Sequence, residues 1–255
     1  MIALTTDFGL VDPWVGIMKG VIATRAPGVP VIDVSHGVPP QDVLAGALVL
    51  AHAAPWFPPR TIQVAVVDPG VGSERRALCV ETERALFVGP DNGLLSLAAR
   101  APAVRRIVEL ADERFFLEPR SRTFHGRDVF APVAAALATG IDPAALGPER
   151  ADMEQLALPE PRREGGTVTG EVIYVDRFGN LATNIAPETL AATVACVRLG
   201  AARIGGISPS YSAVPRGTLA AVTNSWGLLE IALRDGSARE HLGLGVGATV
   251  LVEAR

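Results

Sequence analysis

Leu158-Pro159-Glu160-Pro161-Arg162-Arg163-Glu164-Gly165-Gly166 separates two different textures of sequence. Its prolines, glycines and charges favour neither a helix nor a packed strand, so it reads as a linker. Upstream, short β-branched runs (2–6, 29–34, 61–67, 77–81, 85–88 and 104–109) alternate with Ala/Leu-rich stretches (41–53, 92–99 and 128–139). Asp12-Pro13 reads as the opening of a further helix, with an acid at the cap and proline in the first position. Most of the runs are too continuously apolar for an exposed sheet, and strands alternating with helices imply parallel pairing. Downstream, runs at 167–175, 196–199, 217–222, 228–233 and 249–253 are punctuated by Gly and Pro, with little helical periodicity. The expected architecture is an α/β domain with a largely parallel sheet over residues 1–157, a linker over 158–166, and a small all-β, barrel-like domain over 167–255.

Composition narrows the function classes. With 255 residues, 49% apolar and 20% charged, the chain can bury a full core. A net charge of −4 argues against a nucleic acid or an anionic membrane as partner, since either favours a basic face. Cys79 and Cys196 are too few and too far apart for a disulfide framework or a cysteine zinc site. The first residues carry no basic region, and Asp7 follows closely, so no signal peptide is expected. The longest apolar stretch, 43–54, falls short of the roughly 20 residues a membrane span needs. A soluble, cytoplasmic protein is expected.

Ligands in open α/β sheets bind beyond the carboxyl ends of the strands. Four polar loops occupy such places: Thr5-Thr6-Asp7-Phe8-Gly9, the run from Asp68-Pro69-Gly70-Val71-Gly72 to Arg75-Arg76, Gly89-Pro90-Asp91-Asn92-Gly93, and Thr123-Phe124-His125-Gly126-Arg127-Asp128. Asp7 suits ribose hydroxyls or a metal, and equally a helix cap. Asp68 with Arg75 suits a guanidinium-held carboxylate that orients a water, or one that ties the loop down. His125 stands at an expected helix start, where an imidazole is kept neutral and can act as a base or orient water. His36 and His52 have apolar neighbours and read as packing residues; His241 carries no signal. Gly243-Leu244-Gly245-Val246-Gly247 lies far from the first βα turn and reads as a turn, not a dinucleotide fingerprint. The absence of a Walker loop, HExxH, paired CxxC or GxSxG removes the common NTPase, zinc-protease and α/β-hydrolase readings. Beyond the linker, Asp176, Phe178 and Asn180 surround Gly179 and could stack on and hydrogen-bond a purine, or form a turn around a packed Phe. Asn224-Ser225-Trp226-Gly227 is a second polar loop.

Taken in order, these strings resemble the S-adenosylmethionine (SAM) hydroxide adenosyltransferases, adenosine-forming hydrolases related to the SAM-dependent fluorinase and chlorinase. The resemblance covers nearly the whole chain. It implies a homotrimer with active sites at subunit interfaces, and conversion of SAM and water to adenosine and methionine. SAM is then the substrate, and no cofactor or metal is implied. By matching motif, Asp68, Arg75 and His125 resemble the water-activating triad, and Asp7, next to Phe8, the carboxylate that holds the ribose. Asp12 and Asp176 resemble partners of the methionine amino group, Ser225 of its carboxylate, and Phe178 and Asn180 contacts of the adenine.

The halogenase relatives carry Tyr at the position of Asp68 and Thr near Val71, and a long insertion for which the run from Gly72 to Asp91 leaves no room. A carboxylate repels a halide, and Val71 offers no hydroxyl. Trp14 stands where the halogenases have Ser, and Trp226 where they have Arg. Two other readings remain open from the sequence: a SAM- or adenosine-binding sensor with negligible turnover, and a SAM-dependent halogenase.

Overall fold

Every residue of Ile2–Thr6 (β1) is buried, as is every residue of Thr61–Val66 (β3), the signature of strands covered on both faces. The computed structural model describes residues 1–100, 104–190 and 194–254. The chain divides into two units, Met1–Leu156 and Ala157–Arg255.

In the first unit, β1 is followed by α1 (Trp14–Arg25), β2 (Val31–Ser35), α2 (Val43–Ala53), β3, β4 (Ala77–Thr82) and β5 (Ala85–Pro90). Then come α3 (Ser96–Arg100), β6 (Val104–Glu109), α4 (Ala131–Ala138) and β7 (Glu149–Arg150). The sheet order is β2-β1-β3-β5-β4-β6-β7. The four strands β2, β1, β3 and β5 run parallel, with Ile2 opposite both Val31 and Ile62, and β4, β6 and β7 add an antiparallel flank. On one face Ile2, Leu4, Val64 and Val88 pack with Met18 and Ile22 of α1 and Val133 and Leu137 of α4. By strand alternation α2, which also contacts β1, covers the other face.

Local chemistry sets the helix starts. Asp42 Oδ1 accepts the amide of Ala45 at 2.9 Å, so α2 begins one residue later, at Val43. The expected acid cap on α1 does not form: Pro13 occupies the cap position and no side chain caps the helix. Before α4 the backbone makes a wide π-type turn, Gly126–Phe130. There the fully buried Asp128 accepts both Arg127 Nε (2.6 Å) and the amide of Ser121 (2.8 Å), anchoring the loop that precedes His125. The helix expected from Asn92 starts at Ser96, because Asn92 turns back to donate to Val67 O at 2.9 Å.

The second unit holds β8 (Arg162–Glu164), β9 (Thr167–Val175), β10 (Leu181–Thr183), β11 (Val194–Leu199) and β12 (Ala202–Ile204). β13 (Leu219–Thr223), β14 (Leu229–Leu233), α5 (Ala238–Leu242) and β15 (Thr249–Ala254) follow. All pairings are antiparallel, in the order β12-β11-β15-β9-β10-β14-β13, with β8 beside β9. Part of the stretch that reads as a linker is thus an edge strand, turning through Gly165 (φ +57°) into β9. β9 pairs with β15 through its first half and with β10 through its second, which bends the sheet. Ser208 after β12 donates its amide to Ala221 of β13 at 2.7 Å, joining the two outer strands into a nearly closed barrel. Its interior is filled by Val172, Leu181, Val197, Leu229, Ile231 and Val250.

Both cysteines are free and buried, and burial pushes the Cys79 thiol up to about 12. Among the described residues no helix is long and apolar enough to cross a membrane.

Candidate active site

The carboxyl ends of β1 and β3 open onto a cavity of about 620 Å³ lined by Asp7, Phe8, Trp14, Gln41, Asp68, Val71, Phe124 and His125, among others. Asp68 follows β3, and the chain then folds back through a tight turn in which Val71 N reaches Asp68 O and Ser73 N reaches Gly70 O. Gly72 takes φ +77°, and a Cβ there would lie 2.2 Å from Arg122 O. Only glycine allows this approach, which sets the loop carrying Arg75 against the loop carrying His125.

Asp68, Arg75 and His125 meet directly. Arg75 Nε donates to Asp68 Oδ1 at 2.9 Å and Arg75 Nη2 donates to Asp68 Oδ2, a fork-on-carboxylate pair. The same Nη2 lies 2.8 Å from His125 Nδ1, and the guanidinium stacks over Phe130 at 5.5 Å. The Asp68 and Arg75 side chains are 6% and 10% exposed, so the pair is shielded from competing water. Arginine only donates; His125 Nδ1 therefore accepts, and the ring proton sits on Nε2. The His125 pKa is lowered by burial first and then by the Arg75 charge. Arg75 and His125 line a second, more polar cavity of about 380 Å³, so His125 stands in the wall of both cavities.

Asp7 is held from both sides. Its Oδ2 accepts the amide of Gln41 at 2.8 Å, with Gln41 in the left-handed region (φ +65°). Behind it, the buried Thr6 hydroxyl lies 2.8 Å from His36 Nδ1 and accepts the amide of Phe8, while His36 O accepts the amide of Gly9. His36 Nε2 sits 3.0 Å from Asp33 Oδ1, and Asp33 pairs with Lys19 at 2.6 Å. His36, which reads as filler in the sequence, buttresses the Asp7 loop. Phe124 packs edge-on against Phe8 (5.9 Å) and Trp14 (5.3 Å), giving the cavity an aromatic wall. Trp14, Gln41 and Phe124 are lining residues that motif reading did not select as site residues.

Asp12 is exposed and does not line this cavity. Asp91 faces inward to the framework, accepting Arg76 Nε and the amide of Glu154, each at 2.7 Å.

In the second unit Asp176, Phe178 and Asn180 line a cavity of about 740 Å³ together with Tyr211, Ser212 and Arg234. Asp176 organises its own loop: Oδ1 accepts the amides of Phe178 and Asn180, and Oδ2 accepts Asn180 Nδ2 at 2.9 Å. The Phe178 ring is left 77% exposed at the rim. Ser225 is exposed in the turn after β13 and does not line the cavity; Trp226 beside it packs on Tyr174 at 4.9 Å. Tyr211 was not selected from the sequence, because nothing around it departs from an ordinary loop. Among the described residues no group of three or more His, Cys, Asp or Glu side chains is placed to hold a metal ion.

Comparison with known proteins is consistent across both units. Residues 2–147 match the SAM hydroxide adenosyltransferase N-terminal domain, and residues 170–251 match the corresponding C-terminal domain. A protein of Thermus thermophilus named (R)-S-adenosyl-L-methionine hydrolase is 45% identical over 96% of each chain, and one of the same name from Salinispora tropica is 42% identical over 99% of this chain and 97% of its own. A fluorinase of an Actinoplanes species is more distant, at 27% identity over 72% of this chain and 71% of its own. The crystal structure of an uncharacterized conserved protein from Thermotoga maritima superposes with a TM-score of 0.92 at 36% identity, covering all of both chains. On these grounds the chain belongs to the SAM hydroxide adenosyltransferase family.

Proposed function

We propose that this chain hydrolyses S-adenosyl-L-methionine to adenosine and L-methionine by attack of water on the ribose 5′ carbon. The observation that carries the reading is that Asp68 and His125, joined by Arg75, stand on the wall of a cavity that also presents Asp7. The names of the relatives point to the (R) sulfonium epimer as a substrate.

The reaction asks little of its leaving group, because a sulfonium departs as a neutral thioether. What it needs is a water held in line with the C–S bond at about 3–3.5 Å. In the step, the water oxygen bonds to the 5′ carbon as the C–S electron pair returns to sulfur, and one proton is released. His125 cannot accept that proton at Nδ1 while Arg75 donates there, so its Nε2–H serves to orient. Asp68 then takes the proton: each of its oxygens accepts one Arg75 N–H and keeps a lone pair. Arg75 fixes the carboxylate plane and the histidine tautomer together.

Asp7 is proposed to hold the ribose hydroxyls, with Phe8 beside it. Phe178 and Asn180 are proposed to hold the adenine, Ser225 the methionine carboxylate, and Asp12 and Asp176 its amino group. Asp176 does so with the lone pairs left over from its own loop. The active assembly is proposed to be a homotrimer with active sites at subunit interfaces. The exposed apolar side chains of Leu10, Val11 and Phe178 support it, and sedimentation at three times the chain mass tests it. No cofactor is required by this chemistry.

Incubation of the purified protein with SAM, with and without chloride, tests the proposal by separation of the products. Adenosine and methionine in equal amounts are expected under both conditions, and unchanged in the presence of EDTA. Unreacted SAM selects the binding-sensor reading and 5′-chloro-adenosine the halogenase reading; a carboxylate at 68 and a hydroxyl-free Val71 disfavour the latter. Loss of activity in EDTA with rescue by a divalent ion would contradict a metal-free mechanism.

The pH profile tests the protonation state of His125. Its pKa is lowered, so the neutral ring persists below the ordinary value of 6.5, and protonation on further acidification abolishes the acceptor that Arg75 needs. Activity is expected to hold as the pH falls to 6.5 and to decline only below it. A decline centred above 6.5 would contradict a neutral His125.

A further inference from the structure

Glu230 is the second residue of β14, opposite Val222 and Ala182, and is 5% exposed. Among the described residues no Lys, Arg or His nitrogen lies within 4 Å of its carboxylate. A buried acid without a cation weakens a fold unless its oxygens are hydrogen-bonded. Here both are. Tyr211 donates its hydroxyl to Oε1 at 2.7 Å, and Asn224 donates Nδ2 to Oε2 at 3.1 Å.

The direction of both bonds is fixed while the partner is a carboxylate, which only accepts. Asn224 Oδ1 already accepts the amides of Trp226 (3.0 Å) and Leu228 (3.1 Å), so its NH₂ must face Glu230. Burial, the Glu230 hydrogen bond and charge, and the Asp176 charge push the Tyr211 hydroxyl up to about 12, so it stays protonated and donates. Glutamine at 230 would keep an acceptor for Asn224 but turn the Tyr211 contact round, a neutral NH₂ donating to the hydroxyl where the carboxylate accepts a charge-assisted bond from it. The two donors belong to different loops: Tyr211 walls the cavity that holds Phe178 and Asn180, and Asn224 shapes the turn that carries Ser225.

We propose that Glu230 is a positioning residue for substrate binding, holding the Tyr211 ring against the nucleoside cavity and the 224–228 turn in its binding conformation through one carboxylate. The assignment rests on the reading of this cavity as the adenine side of the SAM site.

The test compares wild type, Glu230→Gln, Tyr211→Phe and the double variant by calorimetric titration with adenosine, by SAM turnover and by thermal melting. Tyr211→Phe keeps the ring and removes only the hydroxyl, so it keeps the proposal testable if Glu230→Gln fails to fold. Glu230→Gln is expected to weaken adenosine binding and raise KM for SAM about tenfold, with kcat within about threefold. Tyr211→Phe is expected to do the same in smaller measure, and to add little on top of Glu230→Gln, because both break one linkage. Wild-type adenosine affinity in Glu230→Gln would overturn the proposal. So would a loss confined to kcat, fully multiplicative effects of the two substitutions, or a wild-type protein that does not bind adenosine. If wild type binds adenosine but leaves SAM intact, hydrolysis fails as the function, and the adenosine affinities alone decide the role of Glu230.

Discussion

Asp68→Asn is expected to lower kcat for adenosine formation by about 10²–10⁴-fold, the usual contribution of a positioned proton acceptor. The substitution keeps shape and one oxygen, and removes the charge and the acceptor that the attacking water needs. Arg75 would then face an NH₂ with one arm of its fork, while its contacts to His125, Arg76 O and the Phe130 ring persist. The cavity and the Asp7 loop are built by other residues, so affinity for SAM should stay within about threefold of wild type. Rapid-quench turnover and equilibrium binding separate the two quantities. Full turnover in Asp68→Asn would remove Asp68 from the mechanism, and equal losses in affinity and rate would make it a binding residue.

Gly72→Ala is expected to damage catalysis about as severely as a change in the triad, although residue 72 carries no chemistry. Two effects combine. A left-handed backbone costs a non-glycine residue roughly 1–2 kcal/mol. In addition, the new Cβ would meet Arg122 O at 2.2 Å, a backbone atom that cannot swing aside. The loop must shift by around an ångström, and Arg75 lies three residues on. Misplacement of that size costs about 10²-fold in rate. Gly165→Ala in the β8–β9 turn is the control: its φ is +57° and nothing stands near the added Cβ. It should lose stability alone, with kcat/KM unchanged. Equal activity in the two variants would show that the approach of the two loops does not assemble the site.

The strands were legible wherever burial on both faces left an uninterrupted apolar run. Ile2–Thr6 ends where that pattern ends; Val104–Glu109 and Thr167–Val175, buried only in part, were legible instead from their β-branched residues. Direction was not legible: β4 reads like its parallel neighbours, and only the short turn through Glu83 and Arg84 shows that β4 and β5 form a hairpin. β10 and β12, three residues each, are too short to show any periodicity. Motif reading selected Asp68, Arg75 and His125, but not which nitrogen of His125 bears the proton. That follows from Arg75 standing at Nδ1, a contact between residues 50 positions apart. Gln41 and His36 escaped because their contributions are a backbone amide held at positive φ and a buried ring behind a loop. Glu230 escaped because a lone acid in an apolar strand reads as an ordinary outward-facing position.

Turnover of SAM in H₂¹⁸O, with mass analysis of both products, addresses the central claim most directly. The account predicts one ¹⁸O atom in the 5′-hydroxyl of adenosine, none in methionine, and loss of labelled product in Asp68→Asn. Unlabelled adenosine, label in the methionine fragment, or cleavage at any bond other than the 5′ carbon–sulfur bond would contradict it.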